Sequence, residues 1–188
     1  MRFETDTDGA LDVTPTALTV AGWTGRDVAA VEHHIAELAE LGVPAPSTIP
    51  VFYRCGAALL TQADTVEVLG EETSGEAEPF LLHAGGRLWL GLGSDHTDRG
   101  LEATSVAHSK QICPKPVAPA LWAFEPLADR LDTLALRSWI GEGEVLGAET
   151  SGEAEPFLLR AGGRLWLGLG SDHTDRGLEA TSVAHSKQ

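Results

Sequence analysis

Positive charge is scarce in this sequence: 13 Lys and Arg stand against 28 Asp and Glu, for a formal net charge of −15 over 188 residues. Such a chain repels a phosphate backbone, which excludes nucleic acid as an expected partner. The excess acid keeps a surface solvated, and it also permits divalent-cation sites built from carboxylates. Cysteine is nearly absent. Cys55 and Cys113 are the only two and form no CxxC. That excludes a cysteine zinc cluster and suits a reducing, cytoplasmic environment. Long apolar runs are missing as well. Nothing approaches the ~18 residues of a membrane span, so no membrane association is expected. The opening stretch, Met1–Asp6, is acidic and lacks the apolar core of a signal peptide. The length fits one domain of ordinary size.

What the chain has in excess is repetition. Glu67–Gln111 recurs as Glu144–Gln188, offset by 77 residues, with two mismatches in 45 positions, Glu71/Ala148 and His83/Arg160. Solenoid repeats diverge and come in threes or more. A single, almost undamaged copy reads instead as a segmental duplication. Residues 1–143 are therefore expected to form the N-terminal and central part of a domain. Residues 144–188 are the duplicate of 67–111, with Gly141–Gly143 as the seam.

Periodicity places the elements. Leu18–Trp23 reads as a strand, and Thr24 with Asp27 as a helix start. Val28, Val31, Ile35, Leu38 and Leu41 then follow helical spacing until Gly42. Val51–Arg54 and Thr65–Leu69 read as strands. Pro114, Pro116 and Pro119 form a proline cluster after a looser stretch. Leu127–Leu131 reads as a helical turn and Leu134–Ile140 as a strand.

The clearest local structure is a hairpin. Glu76–Ala84 and Arg87–Asp95 flank Gly85-Gly86, a two-residue turn signal. With that turn, Ala84 pairs with Arg87, Glu78 with Gly93 and Glu76 with Asp95. Cross-strand partners share a face, so Glu76, Glu78 and Asp95 project together at the open end. Like charges opposed in this way destabilise a hairpin, and a hard divalent cation such as Mg²⁺ or Mn²⁺ would offset the cost. The duplicate repeats the pattern in Glu153, Glu155 and Asp172 around Gly162-Gly163. The plain alternative is a solvated acidic face on an edge strand, with Pro79 marking the edge. Gly91-Leu92-Gly93 is a lone GxG with no helix pattern behind it, too little for a dinucleotide site.

Further motifs carry a family resemblance. His34–Glu37 is an HxxE on a helix, followed by prolines and Pro50–Arg54. Glu76–Glu78 is an ExE, Ser94–Arg99 is an S-D-x-T-x-R, and Ser109–Gln111 leads to Pro114 and Pro116. In that order these resemble the fumarylacetoacetate hydrolase superfamily. Gly22–Asp27, Val31–Ile35, Gly93–Arg99 and Ser109–Gln111 with Cys113–Pro119 look closer still to an uncharacterised bacterial branch, a domain of unknown function. The resemblance covers about residues 15–140. It implies that Glu76, Glu78 and Asp95 hold Mg²⁺ or Mn²⁺. It implies that Arg99 and Lys110 bind the oxygens of a small oxo acid. His34 and Glu37 would form a water-activating dyad on a lid, and at i, i+3 they share a helix face. The family's C-terminal glycine-rich segment is absent, and the duplicate stands in its place.

The expected fold is α+β and mostly β, a truncated mixed β-roll resembling that superfamily's. The expected function is divalent-metal-dependent hydrolysis of a C–C bond in an acylpyruvate-like oxo acid. Hydratase, isomerase and decarboxylase chemistry share the same electrophilic metal. The rival reading is a catalytically dead, duplicated relative, at most a cation-binding acidic domain. Loss of the family's last strands would leave sheet edges open, so self-association into a homo-oligomer is expected.

Overall fold

A computed structural model describes residues 1–23, 28–40, 45–134, 136–140, 144–149, 154–155, 157–161, 164–167 and 170–171. In chain order the first elements are β1 (Arg2–Thr5), β2 (Gly9–Asp12), β3 (Ala17–Gly22), α1 (Val28–Glu40), β4 (Val51–Cys55), β5 (Leu60–Thr61) and β6 (Thr73–Ser74). The hairpin follows as β7 (Ala77–Ala84) and β8 (Arg87–Ser94), then β9 (Thr97–Asp98), α2 (Arg99–Glu102), α3 (Val106–Gln111) and β10 (Lys115–Ala123). After a 3₁₀ turn at Ala128–Thr133 come β11 (Leu136–Ile140), β12 (Glu144–Glu149), β13 (Ala154–Glu155), β14 (Phe157–Ala161), β15 (Arg164–Leu167) and β16 (Gly170–Ser171). The protein is α+β and mostly strand. No helix among the described residues is long and apolar enough to cross a membrane.

The main sheet runs β2-β1-β10-β8-β7, with β5 also paired to β10. It is mixed: β1 and β5 run parallel to β10, and β8 runs antiparallel to it. A second sheet runs β15-β14-β3-β4. Every residue of β3 is buried, as its apolar run and central position require. Phe3, Leu18, Val20, Phe80, Leu82, Trp89, Val117 and Leu121 form one core between these strands.

The hairpin register agrees with the sequence reading. Ala84 pairs with Arg87, and the pairs run on to Glu78 with Gly93 and Ala77 with Ser94. Gly85 and Gly86 both take positive φ, +61° and +78°, as this two-residue turn demands. Phe80, Leu82 and Ala84 lie in the core, so the same face of β7 carries Glu78 inward. Phe80 needs space to do this. Gly91, directly across from it, supplies that space, because a Cβ there would run into the Phe80 ring. The Gly91 and Gly93 pair is thus a packing feature of the sheet.

Three expectations are corrected. Thr65–Leu69 is not a strand: Val66 and Val68 alternate with polar neighbours, but the segment lies on the surface with Val68 and Leu69 exposed, and burial never rewards the alternation. The loose stretch after the hairpin contains α2 and α3, each started by a side-chain cap. Two prolines of the cluster, Pro116 and Pro119, lie in β10, a strand inside the main sheet, and Pro114 directly precedes it. Pro116 and Pro119 have no N–H to give the ladder, and the β10–β8 register shifts between Val117 and Leu121. The strand survives because Lys115, Val117, Leu121 and Ala123 all face inward and are buried.

The duplicate continues the pattern. Ala154 pairs with Ser171 and Glu155 with Gly170, repeating the first hairpin's register 77 residues on. β14 also pairs antiparallel with β3, Phe157 against Val20. Thr24, Asp27, Leu41, Gly42, the seam Gly141–Gly143, the turn Gly162-Gly163, Glu153 and Asp172 lie outside the described residues, as does the side chain of Glu155.

Candidate metal centre

The open end of the hairpin is buried. Glu76 and Glu78 extend the core-facing face of β7, and Asp95 follows β8. The Asp95 amide donates to the Glu76 carbonyl at 2.9 Å, which carries the hairpin pairing one step past the strand ends. Each of the three carboxylates offers an oxygen within 4.8 Å of the others. Glu76 is 3 % exposed, Glu78 1 % and Asp95 3 %. The solvated-face alternative is therefore overturned, since a surface device against edge pairing needs water.

The segment after β8 turns its motif back onto this cluster. The Thr97 hydroxyl, fully buried, donates to the Asp95 carbonyl at 2.8 Å and holds the turn. Asp98 caps α2 by accepting from the Leu101 amide at 2.9 Å. That places Arg99 in the first helical turn, where its guanidinium pairs with Glu76 Oε1 and, at 2.8 Å, with Glu102 Oε2. Ser105 caps α3, whose buried face carries Ser109 and Lys110. Lys110 Nζ pairs with Asp95 Oδ2 and lies 3.5 Å from Glu76 Oε2. Gln111 anchors the end of that helix by accepting from the Gly56 amide at 2.8 Å. A third cation arrives from β10. Lys115 Nζ is 3.0 Å from Asp95 Oδ1 and donates to the His96 carbonyl. Three buried carboxylates thus face three buried cations.

With this geometry in hand, the relatives can be placed. The family described as "Protein of unknown function (DUF2848)" matches residues 21–144, and matches 141–188 a second time. The chain belongs to this family. The first DUF2848 match spans the carboxylates and all three cations, and the second falls on the duplicate. No curated protein and no solved structure matches the chain.

Electrostatics at the DUF2848 centre follow from burial and neighbours. Burial pushes the Asp95 carboxyl up, but the Lys110 and Lys115 ammonium groups outweigh it and hold the group below the usual carboxylate range. Burial pushes the His96 imidazole down, and Lys115 and Arg99 push it further. Burial pushes the Cys55 and Cys113 thiols up, against a smaller opposing pull from Lys115. Both thiols are free and buried, which suits inert core cysteines rather than nucleophiles.

Three carboxylate oxygens converge, a donor set of the kind that hard divalent ions take. A small cavity of about 20 Å³ adjoins it, lined by Glu78, Asp95, Gly93 and Lys115 over Leu18, Val20 and Val117. Its exposed lining is almost wholly apolar, so it adjoins the carboxylates as a packing void. Gly93, opposite Glu78, lets β10 approach closely, because a Cβ there would lie 2.9 Å from the Pro116 carbonyl oxygen.

The structure brings together Glu76, Glu78, Asp95, Arg99 and Lys110. It places His34 and Glu37 on α1, with their side chains outside the described residues. Sequence reasoning missed Lys115. Its signal was available: in Lys115–Ala123 the alternate positions 115, 117, 121 and 123 are the buried ones, and a lysine in phase with them points into the core. The prolines on either side of it hid the strand.

Proposed function

We propose that this chain is a divalent-metal-dependent hydrolase of a small, acylpyruvate-like oxo acid, with Mg²⁺ or Mn²⁺ held by Glu76, Glu78 and Asp95. The observation that carries this reading is the buried carboxylate triad, whose oxygens converge within 4.8 Å. The mixed sheet and the order of the motifs support a fold like that of the fumarylacetoacetate hydrolase superfamily. When bound, the metal would act as a Lewis acid toward a 2-oxo or enol oxygen. Arg99 and Lys110 hold Glu76 and Asp95 in place and supply fixed positive charge next to an anionic substrate. His34 and Glu37, one helical turn apart on α1, serve as a proton-accepting imidazole and the carboxylate that orients it. The two free cysteines support a cytoplasmic location. Calorimetric titration with Mn²⁺, paired with an acylpyruvate turnover assay, tests the reading. Binding and turnover should both disappear in Glu78→Gln. A folded chain that takes up no Mn²⁺ sinks it.

One observation favours a second reading, a non-catalytic DUF2848 relative. Glu76 and Asp95 already pair with Arg99, Lys110 and Lys115, so these two carboxylates stand in an ion network without metal. On that reading EDTA leaves the melting temperature unchanged and no turnover is found at any Mn²⁺ concentration.

A further inference from the structure

One ammonium joins Glu76 to Asp95. Lys110 Nζ pairs with Asp95 Oδ2 and lies 3.5 Å from Glu76 Oε2. The other oxygen of each carboxylate is held from a different side. Arg99 takes Glu76 Oε1, and Lys115 lies 3.0 Å from Asp95 Oδ1. The place shared by the two carboxylates is therefore already filled by a cation, and that cation is a side chain of the protein itself. Lys110, Glu76 and Asp95 are each 5 % exposed or less, so salt and water screen little of this contact. The anchors of the three cations differ. Arg99 is also gripped by Glu102 at 2.8 Å, and Lys115 by the His96 carbonyl. Lys110 comes from α3 on a flexible four-carbon stem, and Gln111 ties the end of that helix to the Gly56 amide. The stem can swing while the helix stays in place.

We infer that Lys110 is the built-in occupant of the divalent site: its bridge and a bound ion exclude one another, and uptake of the ion turns the Lys110 ammonium over to an anionic substrate. The inference deepens the metal-dependent reading and rests on it for its ligand. A divalent ion that draws one oxygen from Glu76 and one from Asp95 competes for the place where the ammonium sits. In a water-poor pocket two cations repel strongly at contact distance. Arg99 and Lys115 keep their outlying oxygens and their second anchors, so Lys110 is the cation that yields. The substrate class follows from the same exchange. Displaced from its carboxylates, the ammonium needs a new anionic partner, and the carboxylate of a small oxo acid supplies one. Binding is thereby ordered, ion first and oxo acid second.

The test is amine footprinting on the full chain, whose lysines are Lys110, Lys115 and Lys187. An acylating reagent is applied with and without Mn²⁺, and mass spectrometry reads each lysine. Lys110 should react several-fold faster with Mn²⁺, while Lys115 stays slow. Pyruvate, as the probe oxo acid, should slow Lys110 again in Mn²⁺ and leave it unchanged in EDTA. Titration calorimetry runs beside the footprint. Lys110→Met should take Mn²⁺ about tenfold more tightly than the parent, because the competing charge is gone. Mn²⁺ uptake by the parent with Lys110 still slow overturns the inference and leaves metal binding standing. Protection of Lys110 by pyruvate in EDTA overturns the order of binding. If Lys110→Met takes Mn²⁺ and the parent does not, the exclusion stands and the metal-dependent reading fails for this chain. If neither folded chain takes Mn²⁺, both fall. The footprint needs no substitution, so it decides where Lys110→Met does not fold.

Discussion

Asp95 and His96 are neighbours in the chain, burial bears on both, and the Lys115 ammonium acts on both. For each, the folded-state pKa lies below its ordinary value, so the unfolded chain binds the proton more readily. His96 therefore contributes stability that is present above its ordinary value of 6.5 and is lost as pH falls from there toward its folded value. Asp95 contributes stability that is present above its ordinary 3.8 and is lost as pH falls through its folded value. Comparison with variants removes the background from the other acids. The urea midpoint of the parent should fall relative to His96→Gln between pH 7.5 and 5.5. The deficit of Asp95→Asn relative to the parent should shrink only as pH falls below the ordinary 3.8 of Asp95. A parent that gains on His96→Gln upon acidification would contradict the placement of Lys115 and Arg99 around that imidazole. At this scale the sequence is partly legible. Glu76, Glu78 and Asp95 could be brought together from a two-residue turn and simple alternation. Their burial could not, because it depends on β10 and α3 closing over them.

The hairpin is the element whose structure was most readable. Gly85-Gly86 selects the turn, the turn selects the register, and the register aligns Glu78 with Gly93 and Phe80 with Gly91. The reason for the second alignment emerges only in the folded sheet, where the Phe80 ring fills the place of a Gly91 side chain and packs tilted against Phe3, with ring centroids 6.3 Å apart. Gly91→Ala should cost about 1–3 kcal/mol, since the added carbon overpacks a closed core. Gly86→Ala offers a contrast. Nothing lies within 4 Å of its Cβ position, and its cost of about 1–2 kcal/mol comes from the +78° φ alone. Denaturant unfolding distinguishes the two causes. A second substitution, Phe80→Leu, should rescue Gly91→Ala in part and leave Gly86→Ala unchanged. β10 was the least readable element. Pro116 and Pro119 argue against a central strand, and the propensity rule failed because Lys115, Val117, Leu121 and Ala123 are buried on its inward face while the register shifts between Val117 and Leu121.

For the whole molecule, the charge excess and the buried cluster make opposite demands on salt. The net charge of −15 spreads repulsion over the surface, where ions screen it. The cluster of Glu76, Glu78 and Asp95 with Arg99, Lys110 and Lys115 is nearly sealed from solvent and is screened far less. Surface repulsion therefore dominates the response. Thermal midpoints should rise from low salt toward 1 M, where the Debye length has shrunk to about 3 Å. A falling midpoint would mean that the ion network is open to water. Taken by itself, the sequence determined the net charge, the 77-residue duplication, the hairpin turn with its register, and which carboxylates share a face. Each of those follows from composition or from neighbours within one element. The tertiary structure alone decided that the carboxylates are buried, that Lys115 completes their cation shell, and that β14 of the duplicate pairs with β3. Those outcomes depend on contacts between segments far apart in the chain, and strand alternation carries no information about which distant strand will close over a face.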